Sequence, residues 1–159
     1  MGVHLYTNGA WTDSGRIYRN SLNLFNVNIE QGTFSSETAL PVPSENRVRT
    51  SDYIELTAAT YTIAFSGAEK IYLYVFDTNN NYIRDESSSF WNNQPFSVVL
   101  TNNRKIKFAI SKTDNTPLTP TDVSNIMINR GSTALPYEPY NIVDWYTNNG
   151  HSYSSGAWS

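Results

Sequence analysis

The chain has 159 residues, a length that suits one domain with a buried core. Its 11 basic and 14 acidic side chains give a net charge of -3 with no basic run, which disfavours a nucleic-acid partner. It has no cysteine, which excludes disulfides and thiolate chemistry and fits folding in a reducing cytosol. The longest apolar run, Ile71–Phe76, is too short to span a bilayer, and the N-terminus has no signal-peptide pattern. We therefore expect no membrane insertion.

The first twenty residues predict a hairpin arm. The run Tyr6-Thr-Asn-Gly9 contains an Asn-Gly pair, which is a strong short-range signal for a hairpin turn. A second copy is expected at the other end, because Tyr146-Thr-Asn-Asn-Gly150 matches this run and Gly156-Ala-Trp158 matches Gly9-Ala-Trp11. We divide the chain into an N-terminal arm over 1–20, a central module over 21–140 and a C-terminal arm over 141–159.

The central module has the pattern of an all-β domain. Its strand-like runs are separated by polar, Asn-rich turns at roughly ten-residue spacing. In Ile71–Phe76, aliphatic residues alternate with aromatic ones, so this strand is central in a sheet or its aromatic face lines a cleft. We expect Phe96–Leu100 to pair with Lys105–Ile110 across the intervening turn. The pattern predicts a jelly-roll β-sandwich of about eight antiparallel strands, with short hairpin arms at both termini.

Catalytic residue sets are missing from the sequence. Its two histidines, His4 and His151, both belong to the arms, and no Gly-x-Ser-x-Gly motif occurs. Glycoside hydrolysis needs two carboxylates across one bond, but Asp85 and Glu86 are adjacent and would point to opposite faces of a strand. We therefore predict that the chain is not an enzyme.

No metal or cofactor site is predicted either. The run from Asp77 to Asn81 imitates the first half of a calcium-binding loop. However, Tyr82 occupies the position that requires glycine, and Ser88 occupies that of the bidentate glutamate. We interpret this run as a polar turn, and a structural calcium ion elsewhere in the sandwich stays open. Zinc has no ligand set.

Sugar binding is the chemistry that the remaining residues suit. A pyranose needs an exposed aromatic ring for its apolar face and planar polar side chains for its hydroxyls. The segment from Tyr82 to Gln94 supplies both kinds, and the aromatic face of the central strand could form the floor. The alternative is that Trp91 and Phe90 only plug the end of the sandwich and that Tyr72 and Tyr74 pack under a loop. The candidate carbohydrate-binding residues are Tyr72, Tyr74, Tyr82, Arg84, Asp85, Trp91, Asn92 and Asn93.

Two strings near the ends of the central module resemble a known family. They are Asn23-Leu-Phe-Asn26 and Gly131-Ser-Thr-Ala-Leu-Pro-Tyr-Glu-Pro-Tyr140. Small β-sandwich modules of phage tail, baseplate and fibre proteins commonly open with an NLF string and close with a GSTATPYEPY-like string. Over residues 21–140 the chain resembles such phage carbohydrate-binding-like modules, of the jelly-roll, galactose-binding type. Similar runs between the two strings are Ser51–Ile54, Tyr61–Ile63, Ile71–Asp77, Asn81–Ile83 and Lys105–Ile110.

The resemblance implies a non-catalytic module for receptor binding and host adhesion. Such a viral protein is located in the virion, on the tail or baseplate, and is made in the host bacterial cytoplasm. Its expected partners are a bacterial cell-surface polysaccharide and other tail or baseplate proteins. A homo-oligomer, in particular a trimer, stays open, since no heptad pattern requires one.

The alternative function is a spacer or assembly domain of the phage tail with no ligand. Trp11, Trp145 and Trp158 of the arms would then contact partner proteins, since tryptophan is enriched at protein interfaces. Within the closing string, we expect Tyr137 and Tyr140 to be structural, because the prolines beside them suit an extended segment along a sheet edge. A polysaccharide-cleaving enzyme ranks last.

Overall fold

The computed structural model describes residues 5–7, 10–13, 16–140, 142–144, 153–154 and 157–158, with side chains described for 21–140. These residues form seventeen β-strands and two short 3₁₀ turns, at Arg84–Glu86 and Pro120–Asp122. Among them no helix is long and apolar enough to cross a membrane. The strands are β1 Leu5–Thr7, β2 Ala10–Asp13, β3 Arg16–Asn20, β4 Ile29–Gln31, β5 Thr33–Phe34, β6 Pro41–Val42, β7 Arg47–Thr50, β8 Ile54–Leu56, β9 Ala59–Ser66, β10 Lys70–Phe76, β11 Asn92–Asn93, β12 Phe96–Leu100, β13 Arg104–Ser111, β14 Ser124–Arg130, β15 Ile142–Asp144, β16 Tyr153–Ser154 and β17 Ala157–Trp158.

The strands of the central module form a two-sheet sandwich. The first sheet has the order β11-β10-β13-β7-β4, with β8 also paired to β13, and the second has the order β12-β9-β14. Alternate residues of both sheets point inward and bury a shared apolar core, as the sequence pattern requires. The core contains Val48, Ile54, Leu56, Ile71, Leu73, Val75, Ile106, Phe108 and Ile110 from the first sheet and Tyr61, Ile63, Phe65, Leu100, Ile126 and Ile128 from the second.

The prediction of an all-β sandwich is confirmed. Between residues 21 and 140, eight strands have three or more residues and three have two residues. Every strand pair in the two sheets is antiparallel. The finer assignment to a jelly roll stays a prediction.

One predicted strand pairing is wrong. Phe96–Leu100 pairs with β9 in the second sheet, whereas β13 pairs with β10, β7 and β8 in the first. The turn after Leu100 therefore carries the chain from one sheet to the other. Both strands alternate apolar and polar residues, and this pattern is satisfied equally by neighbours in one sheet and by strands in facing sheets.

A buried amide joins the beginning and the end of the sandwich. The Asn23 side chain is only 2% exposed. Its Nδ2 donates to the carbonyl oxygens of Ile126 and Glu138, both at 2.8 Å. Its Oδ1 accepts the backbone N–H groups of Phe25 at 2.9 Å and Ile128 at 3.0 Å. The four bonds use the two donors and two lone pairs that an asparagine amide offers.

Two further contacts complete this junction, which we call the Asn23 clasp. The carboxylate of Glu138 accepts the backbone N–H of Leu22 at 2.9 Å, and the N–H of Leu24 donates to the carbonyl oxygen of Ile128 at 2.8 Å. The clasp thus brings the string that opens the module against the string that closes it and against β14.

The arms contribute a separate group of strands. A four-stranded sheet has the order β1-β2-β3-β15, so strands from both arms lie in one sheet. β1 pairs Tyr6 with Trp11 of β2, and β16 pairs Tyr153 with Trp158 of β17. Trp158 thus pairs with Tyr153, whereas the sequence match makes Tyr146 the counterpart of Tyr6. The other proposed half of the second copy, Tyr146–Gly150, lies outside the described residues.

We expect Asn23→Ala to lower the free energy of unfolding by about 2–5 kcal/mol, because it leaves several buried backbone groups unsatisfied at about 1–3 kcal/mol each. Asn26→Ala, at an exposed position in the same string, should change stability by less than about 0.5 kcal/mol. Urea unfolding of the parent and both variants measures this. Equal stability of the two variants would show that the clasp does not hold the sandwich together.

Candidate functional site

The outer face of the first sheet carries a second cluster of aromatic residues. The alternation in β10 places Tyr72, Tyr74 and Phe76 on this face, opposite the core residues. Their rings pack closely: the Tyr72 and Tyr74 centroids lie 4.9 Å apart, and Tyr72 meets Trp91 edge-on at 5.6 Å. The prediction that this strand carries two bulky faces thus corresponds to two separate apolar clusters.

The hairpin formed by β5 and β6 covers part of this aromatic face. Arg49 holds the hairpin in place, because its Nη1 donates to the carbonyl oxygens of Thr33 at 2.9 Å and Val42 at 3.2 Å. Its Nη2 forms an ion pair with Glu30 at 2.9 Å. The hydroxyl of Tyr74 in β10 donates to the carbonyl oxygen of Phe34 at 2.9 Å, which fixes the hairpin to the sheet.

The uncovered part of the face forms what we call the aromatic groove. Its larger lobe has a volume of about 510 Å³ and its smaller lobe about 290 Å³. Ser36, Tyr72 and Ser89 line both lobes, so the lobes adjoin. The larger lobe is otherwise lined chiefly by Phe34, Arg47, Tyr74, Phe90 and Trp91. The smaller lobe is completed by Arg84, Asp85 and Ser88.

Five of the eight predicted sugar-binding residues line this groove. Tyr72, Tyr74 and Trp91 line the larger lobe, and Arg84 and Asp85 line the smaller one. The spacing of these residues in the sequence does not show that β10 lies beside the segment that follows residue 82. The sheet does so, because β11 pairs with β10 immediately after Trp91.

The other three predicted residues shape the groove without lining either lobe. Tyr82 donates its hydroxyl to the carbonyl oxygen of Ser36 at 3.0 Å, which ties the hairpin tip to the rest of the face. Asn92 donates from Nδ2 to the carbonyl oxygen of Phe90 at 3.0 Å and so fixes the loop that carries Trp91. Asn93 lies in β11, opposite Lys70 of β10.

Arg84 is already engaged by a carboxylate. It forms a two-pronged ion pair with Glu37, with Nη1–Oε2 at 2.6 Å and Nη2–Oε1 at 3.1 Å. Both side chains are more than half exposed, so the pair contributes little to stability. Its geometric effect is to fix a guanidinium at the rim of the smaller lobe.

Several lining residues were not among the predicted set, and two of them, Phe90 and Arg47, bear on what the groove can bind. Phe90 is 67% exposed, the largest exposure of an aromatic ring in the described part of the chain. Arg47 places its guanidinium carbon 4.7 Å from the centre of the Trp91 ring. The sequence signal for Arg47 is the alternation of charged and less polar residues along β7. Val48 and Thr50 are buried, while Arg47 and Arg49 point to the outer face. Without knowing the neighbours of β7, that signal does not indicate a site.

The calcium-like run forms a side-chain-capped turn. Asp77 Oδ1 accepts the backbone N–H groups of Asn79 at 2.8 Å and Asn81 at 2.9 Å, and Oδ2 accepts from the Asn81 amide at 3.0 Å. The bonds from Asn81 hold the pKa of Asp77 below its usual range. These contacts agree with the interpretation as a polar turn.

Tyr74 provides a pH test of the covered aromatic face. Burial, reinforced by the neighbouring Tyr72, raises the pKa of Tyr74 well above that of a free tyrosine. The unfolded chain releases this proton near pH 10 while the native chain keeps it, so native stability falls as pH rises above about 10. In the Tyr74→Phe variant, the free energy of unfolding should therefore fall less steeply between pH 9 and about pH 11 than in the parent.

Urea unfolding at several alkaline pH values measures this slope. Tyr137→Phe, at an exposed position, is the matched control and should keep the parent's dependence. A Tyr74→Phe variant with the parent's slope would contradict the burial of this hydroxyl.

Comparison of the chain with protein-family models, with curated proteins and with solved structures finds no match. What the aromatic groove binds must therefore be inferred from its own residues.

Proposed function

We propose that the chain is a non-catalytic carbohydrate-binding module of a phage tail or baseplate adhesion device, which binds a saccharide of the host cell surface. The observation that carries the proposal is the aromatic groove, because it combines an exposed ring with hydroxyl and planar charged groups. The phage setting rests on the resemblance of the opening and closing strings, Asn23–Asn26 and Gly131–Tyr140.

The groove suits the two-sided chemistry of a pyranose. The apolar C–H face of a sugar stacks on an aromatic ring, for which Phe90 offers the most exposed surface. The sugar rim needs donors and acceptors, which Ser36, Ser89 and Asp85 supply from the lining. The two lobes adjoin through Tyr72, so a ligand with more than one sugar residue would contact the lining of both.

Weak binding at one site is sufficient for an adhesion device. A shallow sugar site with a Kd of about 1 mM corresponds to about -4 kcal/mol. Display of many copies on a virion can raise the avidity by about 10²–10⁴ without any new contact. A module of this kind therefore needs no deep cavity and no catalytic group.

One observation favours the alternative of an assembly or spacer domain. Leu22, Tyr137 and Tyr140 are each about half exposed and lie where the chain enters and leaves the sandwich. Exposed apolar residues at such a junction suit packing against an adjoining protein. The side chains of Trp11, Trp145 and Trp158, which the assembly hypothesis also uses, lie outside the described set.

The test is binding of the fluorescently labelled chain, multimerised on streptavidin, to a panel of intact bacteria. We expect Phe90→Ala and Trp91→Ala to weaken binding at least about tenfold, the equivalent of about 1.4 kcal/mol of lost stacking. Val99→Ala is the matched control, because Val99 is as exposed as Phe90 but lies in β12 of the other sheet.

Thermal unfolding of each variant separates loss of binding from loss of fold, which matters most for Trp91 because its ring packs on Tyr72. If the folded groove variants bind cells as well as the parent, the groove is not the adhesion site. If the parent binds no cells even as a multimer, the assembly function replaces the adhesion function.

A further inference from the structure

Two arginines on the same strand face have opposite surroundings. Arg47 and Arg49 are separated by one residue of β7 and both point to the outer side of the first sheet. Arg49 is satisfied by two carbonyl oxygens and the carboxylate of Glu30. Arg47 donates no hydrogen bond from its guanidinium and joins no ion pair within residues 21–140. Of these two arginines, only Arg49 therefore holds the hairpin.

The Arg47 guanidinium is held against the groove. Its carbon lies 4.7 Å from the Trp91 ring centre, which places a cation over the aromatic face in the larger lobe. Such a cation–π contact uses the face of the Trp91 ring. The N–H groups of the guanidinium donate no hydrogen bond within residues 21–140, and their fork geometry matches a carboxylate or phosphate.

The two lobes therefore differ in charge. In the smaller lobe, Arg84 is neutralised by Glu37, and Asp85 adds a negative charge. In the larger lobe, Arg47 is the charged residue of the lining, and no carboxylate lines that lobe. A bound chain with an anionic group would thus be oriented with that group in the larger lobe and its neutral hydroxyls towards Asp85.

We propose that the aromatic groove selects an anionic saccharide, whose carboxylate or phosphate binds Arg47 beside Trp91. This inference rests on the proposed carbohydrate-binding function and specifies its ligand class. The guanidinium donates two parallel hydrogen bonds to the anionic group, and the aromatic rings contact the sugar that carries this group. The overall net charge of -3 disfavours non-specific attraction of acidic polymers, so selection depends on this local cation.

The experiment uses an array of purified bacterial capsular, O-antigen and teichoic-acid polysaccharides, neutral ones included. Each acidic polysaccharide is present in native, carboxyl-reduced and dephosphorylated form. The multimerised full chain is applied together with its Arg47→Met, Arg47→Lys and Arg130→Met variants. Arg130 is a matched control, because its guanidinium also lies over an aromatic ring, that of Tyr61 at 5.9 Å, but belongs to the other sheet.

We expect binding to native acidic polysaccharides, with a loss of at least about tenfold in Arg47→Met, since a charge-assisted hydrogen bond is lost. Arg47→Lys should show an intermediate loss because it keeps the charge without the fork. Arg130→Met should bind like the parent. Loss of binding after carboxyl reduction identifies a carboxylate, and loss after dephosphorylation identifies a phosphate.

Salt gives an independent readout. Binding by the parent should weaken between 50 mM and 500 mM NaCl, whereas residual binding by Arg47→Met should not, because screening acts on the charge contact. The Arg47 guanidinium makes no hydrogen bond within residues 21–140, so we expect both Arg47 variants to melt like the parent. A destabilised Arg47→Met would itself show that the guanidinium has a structural role.

Two results would overturn the inference and leave the proposed function standing. These are equal binding of native and neutralised polysaccharides, and an Arg47→Met variant that binds like the parent. If the parent binds no polysaccharide on the array or on cells, both the inference and the carbohydrate-binding function fail. The outcomes therefore separate the two proposals.

Discussion

The buried amide of Asn23 constrains the whole sandwich, because all four of its hydrogen-bonding positions are engaged with backbone groups. Those groups lie in the segment it opens, in β14 and in the closing segment at Glu138. An amide enclosed in this way is costly to bury unless every partner is in place. The native sandwich therefore requires the two ends of the module to be in contact.

This constraint also gives the family-like strings a physical meaning. Asn23 belongs to the opening string and Glu138 to the closing one, and the two are in direct contact. Similar strings elsewhere would be expected wherever a sandwich is closed by the same clasp, whatever its surface binds. The strings therefore relate mainly to the fold, whereas the residues that line the aromatic groove lie between them in the sequence.

The sequence was sufficient to predict the all-β sandwich and part of the groove lining. Alternation in Ile71–Phe76 placed Tyr72 and Tyr74 on one face. The polar setting of Trp91 indicated a surface position, whereas its ring is partly buried against the aromatic cluster. Arg47 could not be found this way, because its role depends on which strand lies beside β7. The pairing of Phe96–Leu100 failed for a related reason, since alternating strands do not reveal whether a turn stays within one sheet. The Asn23 clasp was missed because its partners lie more than a hundred residues away.

The pairing of β3 with β15 has a mechanical consequence. These antiparallel neighbours flank the central module, with Asn20 opposite Ile142 next to it and Tyr18 opposite Asp144 farther away. Tension applied across Tyr18 and Asp144 would open that end of the pair first. It would then separate the two strands one residue pair at a time, towards Asn20 and Ile142. The load would reach the Asn23 clasp only after these steps. We therefore expect β3 and β15 to separate under tension before the aromatic groove is deformed.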